Sequence, residues 1–315
     1  MVEEKKILLV RLSSFGDIVL TFPLINLLKR KFPESHITFV VKEKYSELLK
    51  MNPFVDTVLS VKEGKLSVLK DLLSAGNFDI SIDLQNNAKS RYLTSSLSNV
   101  CRYRKNNLKK FLLVKFKINL LKDPVPVYRK YINSVREVIP IGNEELEFTT
   151  SKLSYTSFDS REDKYTLIAP SSRHFTKTYP KEKFIEFINN NSETRFILVG
   201  DDSDTDKEIC SYISSHTDNS IDLCGKLNFS ALAGVIDGAE RVICNDSGVL
   251  HLAEAMGKDV TAIFGSTVKE FGFFPQLADS EVFENNKLKC RPCSHTGLPS
   301  CPLKHFKCMR DVTLH

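Results

Sequence analysis

The 315-residue sequence contains no apolar run approaching the roughly 20 residues that a membrane-spanning helix needs, so no spanning helix is expected. It opens MVEEKK and runs straight into an apolar stretch without the h-region of a secretory signal, which makes a cytoplasmic location the expectation. Internal repeats and low-complexity tracts are also lacking, which argues against solenoid architecture and against disorder. Glycine is scarce where it would be diagnostic. The stretch RLSSFGDIVLTFP at 11–23 follows a short apolar run, as at the entry to a Rossmann unit, yet holds one glycine where a dinucleotide fingerprint needs three. Acidic residues disappear between Gln85 and Lys122, where ten Lys or Arg occur. The formal net charge of +5 therefore hides a remainder of about −5 once those ten charges are set aside. Cysteine is not scarce, but four of the eight lie between residues 290 and 308 and the rest are scattered in apolar contexts, unlike a secreted disulfide scaffold.

What is present is a soluble globular composition, 42% hydrophobic and 26% charged, with enough length for two domains of ordinary size. KILLVRL, HITFVV, DTVLSV and FDISIDL read as strands, separated by the helical patterns Gly16–Lys31, KYSELLKM and KLSVLKDLLSA. After residue 84 the pattern loosens into the basic segment, Val127–Ile139 reads as a helix, and a polar stretch runs from Gly142 to Lys164. The alternation then restarts with YTLIAP, RFILVG, a short strand near IDL, RVICN and VTAIFG, interleaved with helices. The expected fold class is α/β: two Rossmann-like domains, residues 1–160 and 161–315, facing across a cleft, with ligands beyond the carboxyl ends of the strands.

Several stretches carry candidate chemistry. In RLSSFGD, Ser13 and Ser14 form the turn and Gly16 and Asp17 open a helix whose N–H groups attract an anion. Two roles are open to Asp17: a first-turn carboxylate complementing the helix dipole, or a general base held at the cleft edge. In NDSGVLHLAEAMG, Asp246, Ser247 and Gly248 precede a second helix that carries His251; anion binding and ordinary capping both fit. APSSRHFTKTYP places Arg173, His174 and Lys177 after a strand, which suits a diphosphate or a solvated loop. GDDSDTD lacks the full calcium-loop spacing and reads as helix capping rather than a magnesium site. In CRPCSHTGLPSCPLKHFKC, Cys290 and Cys293 could share one ion, with Cys301 and Cys308 completing a structural zinc site and His295 and His305 as substitutes; reduced thiols in a loop are the alternative.

VRLSSFGDIVLTFP, APSSRHFTKTYP and NDSGVLHLAEAMGKDVTAIFGST, in this order and context, resemble glycosyltransferase family 9, the lipopolysaccharide heptosyltransferases, over nearly the whole chain. The resemblance implies a B-type glycosyltransferase fold and inverting, metal-independent transfer of a sugar from a nucleotide-activated heptose, commonly ADP-heptose, to a lipid-linked core oligosaccharide. It implies no catalytic cofactor. Carried across, Asp17 matches the general base, Lys177 the basic residue near the phosphates, and Asp246, Ser247, Gly248 and His251 the nucleotide-sugar loop. The first domain is then the acceptor domain, with Ser13, Ser14 and Gly16 facing the acceptor, and the second binds the donor.

The basic stretch RYRKNNLKKFLLVKFKINLLK, 102–122, interleaves charge with Phe111, Leu112, Leu113, Val114, Phe116 and Ile118. On the acceptor domain it suits anionic phosphates and the inner-membrane surface, with Arg104, Lys105, Lys109 and Lys110 as acceptor contacts and peripheral attachment as the expectation. Lys115 and Lys117 also alternate as on a half-buried strand after a solvated loop. A transferase or epimerase of the same fold acting on another nucleotide sugar is the nearest rival. A nucleic-acid-binding protein would use the same basic strip, but the strip lacks a nucleic-acid motif and the two turn motifs would go unexplained, so no nucleic-acid partner is expected.

Overall fold

The computed structural model describes residues 4–62, 65–158 and 164–315. The chain forms two compact units, Met1–Lys105 with Val127–Ser154, and Asn106–Pro126 with Tyr155–His315. The boundary expected near residue 160 lies outside the described residues.

In the first unit, strands Lys6–Val10 (β1), His36–Lys42 (β2), Thr57–Val61 (β3), Ile80–Asp83 (β4) and Val100–Arg102 (β5) form one parallel sheet in the order β3-β2-β1-β4-β5. β1 is central, and Ile7 to Val10 are wholly buried, as an apolar run needs to be when both faces of a parallel sheet are covered. Helices Phe15–Val19 (α1), Phe22–Lys31 (α2), Ser46–Lys50 (α3), Leu66–Ala75 (α4) and Ala88–Leu93 (α5) connect the strands. After Asn107–Phe116 (α6), which groups with the second unit, Val127–Asn133 (α7) packs on α2.

The single helix expected over Gly16–Lys31 is two. Pro23 has no N–H to offer the Val19 carbonyl and its ring crowds that carbonyl, so α1 stops at Val19 and α2 restarts with the proline in its first turn. Lys29, Arg30 and Lys31 in the last turn of α2 complement its dipole.

The second unit has strands Tyr165–Ala169 (β6), Arg195–Leu198 (β7), Ser220–Asp222 (β8), Arg241–Asn245 (β9), Val260–Phe264 (β10) and Glu281–Glu284 (β11), all parallel in the order β11-β10-β9-β6-β7-β8. Helices Lys181–Asn189 (α8), Asp204–Ser214 (α9), Phe229–Gly238 (α10), Gly248–Ala255 (α11) and Lys307–Arg310 (α12) complete it. A core of Ile168, Phe184, Phe196, Leu198, Ile243 and Ile263 joins the sheet to α8 and to the C-terminal Met309 and Val312. Gly234 is required where α10 meets the 156–158 stretch, because a Cβ there would collide with the Thr156 carbonyl.

Each sheet reverses its winding direction once, between β1 and β4 and between β6 and β9. Ligands of open α/β sheets lie outside the carboxyl ends of strands at such a switch point. Arg11–Asp17 follows β1, Leu84–Gln85 follows β4, Pro170–Lys177 follows β6 and Asp246–Gly248 follows β9.

The basic segment departs from expectation in two ways. It is helical at 107–116, ended by Lys117 in the left-handed region (φ 58°), rather than a loop followed by a strand. Residues 106–126 also belong to the second unit. Leu113 and Leu121 bury against Phe271, Lys117 Nζ donates to the carbonyls of Cys290 (2.9 Å) and Pro292 (2.6 Å), and Asn119 bonds Glu270 at 3.0 Å. No helix among the described residues is long and apolar enough to cross a membrane.

Candidate functional site

In the first unit, Arg11 leaves β1 directly and its guanidinium is buried. Nη1 donates to the Leu84 carbonyl at 2.6 Å, and Nη2 lies 2.8 Å from Asp17 Oδ2. Ser14, which precedes α1, donates to the same oxygen through Oγ at 2.7 Å and N–H at 3.3 Å. Oδ2 is thus saturated by three donors. Oδ1 has one longer partner among the described residues, the Tyr131 hydroxyl at 3.4 Å. Burial alone would raise the Asp17 carboxyl, but the Arg11 charge and the Ser14 hydrogen bonds outweigh it and hold the pKa below the ordinary carboxylate value. The result is an ionised carboxylate with one oxygen clamped and one open to a further donor.

The surroundings come from distant segments. Arg11 lies over the Tyr131 ring (5.6 Å), and Tyr103 stands edge-on to Tyr131 at 5.0 Å and 84°. Burial pushes the Tyr131 hydroxyl well above its ordinary value, with Arg11 opposing, so it stays a protonated donor. Gln85 Oε1 accepts the N–H groups of Leu12 (3.0 Å) and Ser13 (3.2 Å), which fixes the turn that carries Ser14. Lys105 is electrostatically coupled to Arg11, Asp17 and Asp83; burial first and Arg11 second lower its pKa while the two carboxylates oppose them.

In the second unit, Asp246 at the end of β9 is buried and is the hub. Its Oδ2 lies 2.8 Å from Lys177 Nζ and accepts the Thr267 hydroxyl at 2.7 Å. Asn245 ties the β6 loop to the β9 end, accepting the Tyr179 N–H at 3.0 Å and donating to the Pro170 carbonyl at 2.9 Å. Ser247 precedes α11, and its buried Oγ has no hydrogen-bond partner among the described residues. Under the 265–267 turn, Arg291 donates to the carbonyls of Gly265 (2.6 Å) and Thr267 (2.8 Å) and pairs with Glu284 at 2.6 Å. The His174 pKa is lowered, by burial first and then by Lys177 and Arg173, with Asp246 opposing. A lysine paired with Asp246, an unpartnered hydroxyl and a helix N-terminus thus lie at the end of β9, a set of groups whose chemistry suits an anion.

Ser13, Ser14, Gly16, Asp17 and Lys105 therefore share one neighbourhood, and Lys177, Asp246, Ser247 and Gly248 another. Buried His251, on α11, has its ring 5.9 Å from that of Phe273. Arg104 is exposed in the first unit, whereas Lys109 and Lys110 lie on α6 in the second, so the four basic residues are not one strip. Lys110 sits 5.8 Å and 5.9 Å from the rings of Phe271 and Phe273. Arg11, Tyr131, Gln85 and Thr267 were not singled out by sequence reasoning. A charged residue directly after a fully apolar strand was the available signal for Arg11.

Cys290, Cys293 and Cys301 are half-buried, Cys308 is buried, and all four are free thiols. Burial pushes Cys308 up to about 11 and raises Cys293, with the neighbouring thiols adding to both. Cys290 Sγ lies 3.9 Å from His305 Nε2, but among the described residues no three ligand atoms of this group lie mutually within 4.8 Å. The donor chemistry suits zinc, and the arrangement as it stands does not close around an ion.

The sequence model of glycosyltransferase family 9 (heptosyltransferase) matches residues 67–303. Lipopolysaccharide heptosyltransferase 1 of Campylobacter coli is 26% identical, over 83% of this chain and 84% of its own. Among solved structures, E. coli ADP-heptose lps heptosyltransferase II superposes with a TM-score of 0.73 at 18% identity, over 96% of each chain. E. coli heptosyltransferase WaaC with ADP-2-deoxy-2-fluoro heptose gives 0.70 at 19% identity, over 88% of this chain and 92% of that one. The two parallel sheets are thus those of the B-type glycosyltransferase fold. With the family's sequence model covering most of the chain and its fold shared throughout, the chain belongs to glycosyltransferase family 9, the heptosyltransferases, and is a glycosyltransferase.

Proposed function

We propose that the enzyme transfers a heptose from ADP-heptose, with inversion, to a phosphorylated lipopolysaccharide core acceptor at the cytoplasmic face of the inner membrane. The observation that carries the reading is the asymmetry of Asp17, whose Oδ2 is held by Arg11 and Ser14 while Oδ1 has only the 3.4 Å Tyr131 contact. In this account Oδ1 takes the proton of the acceptor hydroxyl as its oxygen attacks the anomeric carbon, and the bond from that carbon to the diphosphate oxygen breaks. Arg11 keeps the base ionised, and Tyr131 orients it.

The departing diphosphate needs positive charge placed in advance. Lys177, the Ser247 hydroxyl and the first N–H groups of α11 supply charge and donors, with Asp246, itself held by the Thr267 hydroxyl, fixing Lys177. The heptosyltransferase crystallised with a fluorinated ADP-heptose supports an adenine nucleotide sugar as donor. Lys105 is assigned to an acceptor phosphate, and α6 to the membrane surface. Leu108, Phe111 and Phe116 on α6 are 71%, 50% and 62% exposed beside exposed Lys109 and Lys115, a mixed apolar and basic surface that supports contact with anionic lipid headgroups. A structural zinc ion at Cys290, Cys293, Cys301 and Cys308 belongs to the same reading through its donor chemistry and has no part in transfer.

The reading is tested by thermal stabilisation with ADP, UDP and GDP sugars, since a ligand that binds the native state raises the melting temperature. ADP-heptose should stabilise most, and Lys177→Gln should weaken ADP binding roughly 10- to 100-fold through loss of a charge-assisted hydrogen bond. Equal stabilisation by all three nucleotides, or preference for UDP or GDP, would contradict the donor assignment.

A further inference from the structure

We propose that Cys210, Asp222 and Cys224 form a binding site for one zinc-class divalent cation, separate from the donor site and from the C-terminal cysteines. The two sulfurs and a carboxylate oxygen all lie within 4.8 Å of one another, the only such grouping among the described residues. Ligands of a tetrahedral zinc ion, with bonds of about 2.0 to 2.3 Å, are separated by about 3.3 to 3.8 Å, so small side-chain adjustments close the site. Two thiolates and one carboxylate form a set that favours zinc over magnesium or calcium.

The three groups are positioned by different elements. Cys210 is on α9 and wholly buried, Asp222 ends the edge strand β8, and Cys224 follows two residues later. Asp222 Oδ1 accepts the Cys224 N–H at 2.8 Å, which sets the carboxylate beside the thiol. Cys224 Sγ is 3.3 Å from the Asp201 carbonyl. Partly exposed Asp222 provides the entry side.

The charge around the site favours a cation. Asp201, Asp202, Asp204 and Asp206 precede or open α9, and Lys207 is spent on Asp202 at 2.5 Å. Lys226 Nζ is tied to the Asp222 carbonyl at 2.7 Å. A divalent cation replaces the two protons and satisfies both sulfurs and the carboxylate. It would pin three-residue β8 to α9 at the edge of the sheet, a structural role.

The test uses the full-length chain with Cys290→Ser and Cys293→Ser, which removes the other cysteine group as a competitor. Metal-free protein is titrated with Co²⁺ under argon and followed by the thiolate-to-cobalt absorption band. One Co²⁺ should bind per chain with that band, and Zn²⁺ should displace it. Asp222→Asn, which leaves the buried thiols in place, should weaken Co²⁺ at least about tenfold, no less than loss of an outer-shell partner costs. Cys224→Ser should abolish the band. The proposal is overturned if the band is absent, if it survives Cys224→Ser, if Asp222→Asn binds as tightly as its parent, or if mass spectrometry finds a Cys210–Cys224 disulfide in protein purified without reductant.

Discussion

Arg11 and Asp17 meet through a single carboxylate oxygen, with Arg11 Nη2 2.8 Å from Asp17 Oδ2, so the pair that ionises the base also leaves its other oxygen available. A pH dependence follows. The Asp17 pKa is held below its ordinary value, so the carboxylate stays charged as pH falls and loses its charge only below the range of a free aspartate. In Arg11→Gln burial is no longer opposed by that charge, and the acid limb of the single-turnover rate should move to higher pH. An unchanged limb in a variant with native circular dichroism would mean that Arg11 does not tune the base.

Glu254, buried on α11, accepts N–H groups of Gln276 and Leu277 and is raised to about 7, by burial first. Its folded pKa exceeds its unfolded one, so the folded state binds the extra proton and this residue costs stability as pH rises from about 4.5 to about 7. Glu254→Gln keeps an acceptor and removes the charge. Denaturant unfolding should show the variant more stable than wild type above pH 7, by up to about 3 kcal/mol, and equal to it near pH 4. A constant difference across that range would exclude a titrating Glu254.

On α6, Lys109→Ser with Lys115→Ser removes two charges worth about 1 kcal/mol each at an anionic surface, so affinity for phosphatidylserine-containing vesicles should fall on the order of 30-fold. Lys105→Ser should instead raise the Michaelis constant for the phosphorylated acceptor and flatten its salt dependence. Neither should change ADP binding. Vesicle binding that ignores the α6 substitutions would reduce the helix to a solvated face.

For the C-terminal cysteines, elemental analysis of Cys210→Ser/Cys224→Ser protein purified without chelator should show about one zinc per chain, lost on Cys293→Ser. Four freely titrating thiols in that folded, metal-free protein would remove this site.

The strands were legible because parallel strands buried on both faces are continuous apolar runs, as in KILLV and YTLIA. Asp246 stood out because it directly follows such a run, and Asp17 because the turn after KILLV opens a helix with one glycine and a carboxylate. Their partners did not. Arg11 bonds a carbonyl 73 residues away and Asp17 faces Tyr131 across 114, distances that local pattern does not span. The helix at 107–116 was obscured because Lys115 and Lys117 alternate with apolar residues, and its unit is decided by Leu113 and Leu121 meeting Phe271. Pro23 lies inside the helical pattern Gly16–Lys31, where apolar periodicity alone does not register its cost to the Val19 carbonyl.

Asp17→Asn tests the central claim most directly. The amide keeps the shape of the side chain but cannot take the acceptor proton. In single-turnover assays with ADP-heptose and acceptor, the rate of transfer should drop on the order of 100- to 10,000-fold, with thermal stabilisation by ADP unchanged. Transfer at a near-normal rate would show that Asp17 only caps its helix and that the base lies elsewhere.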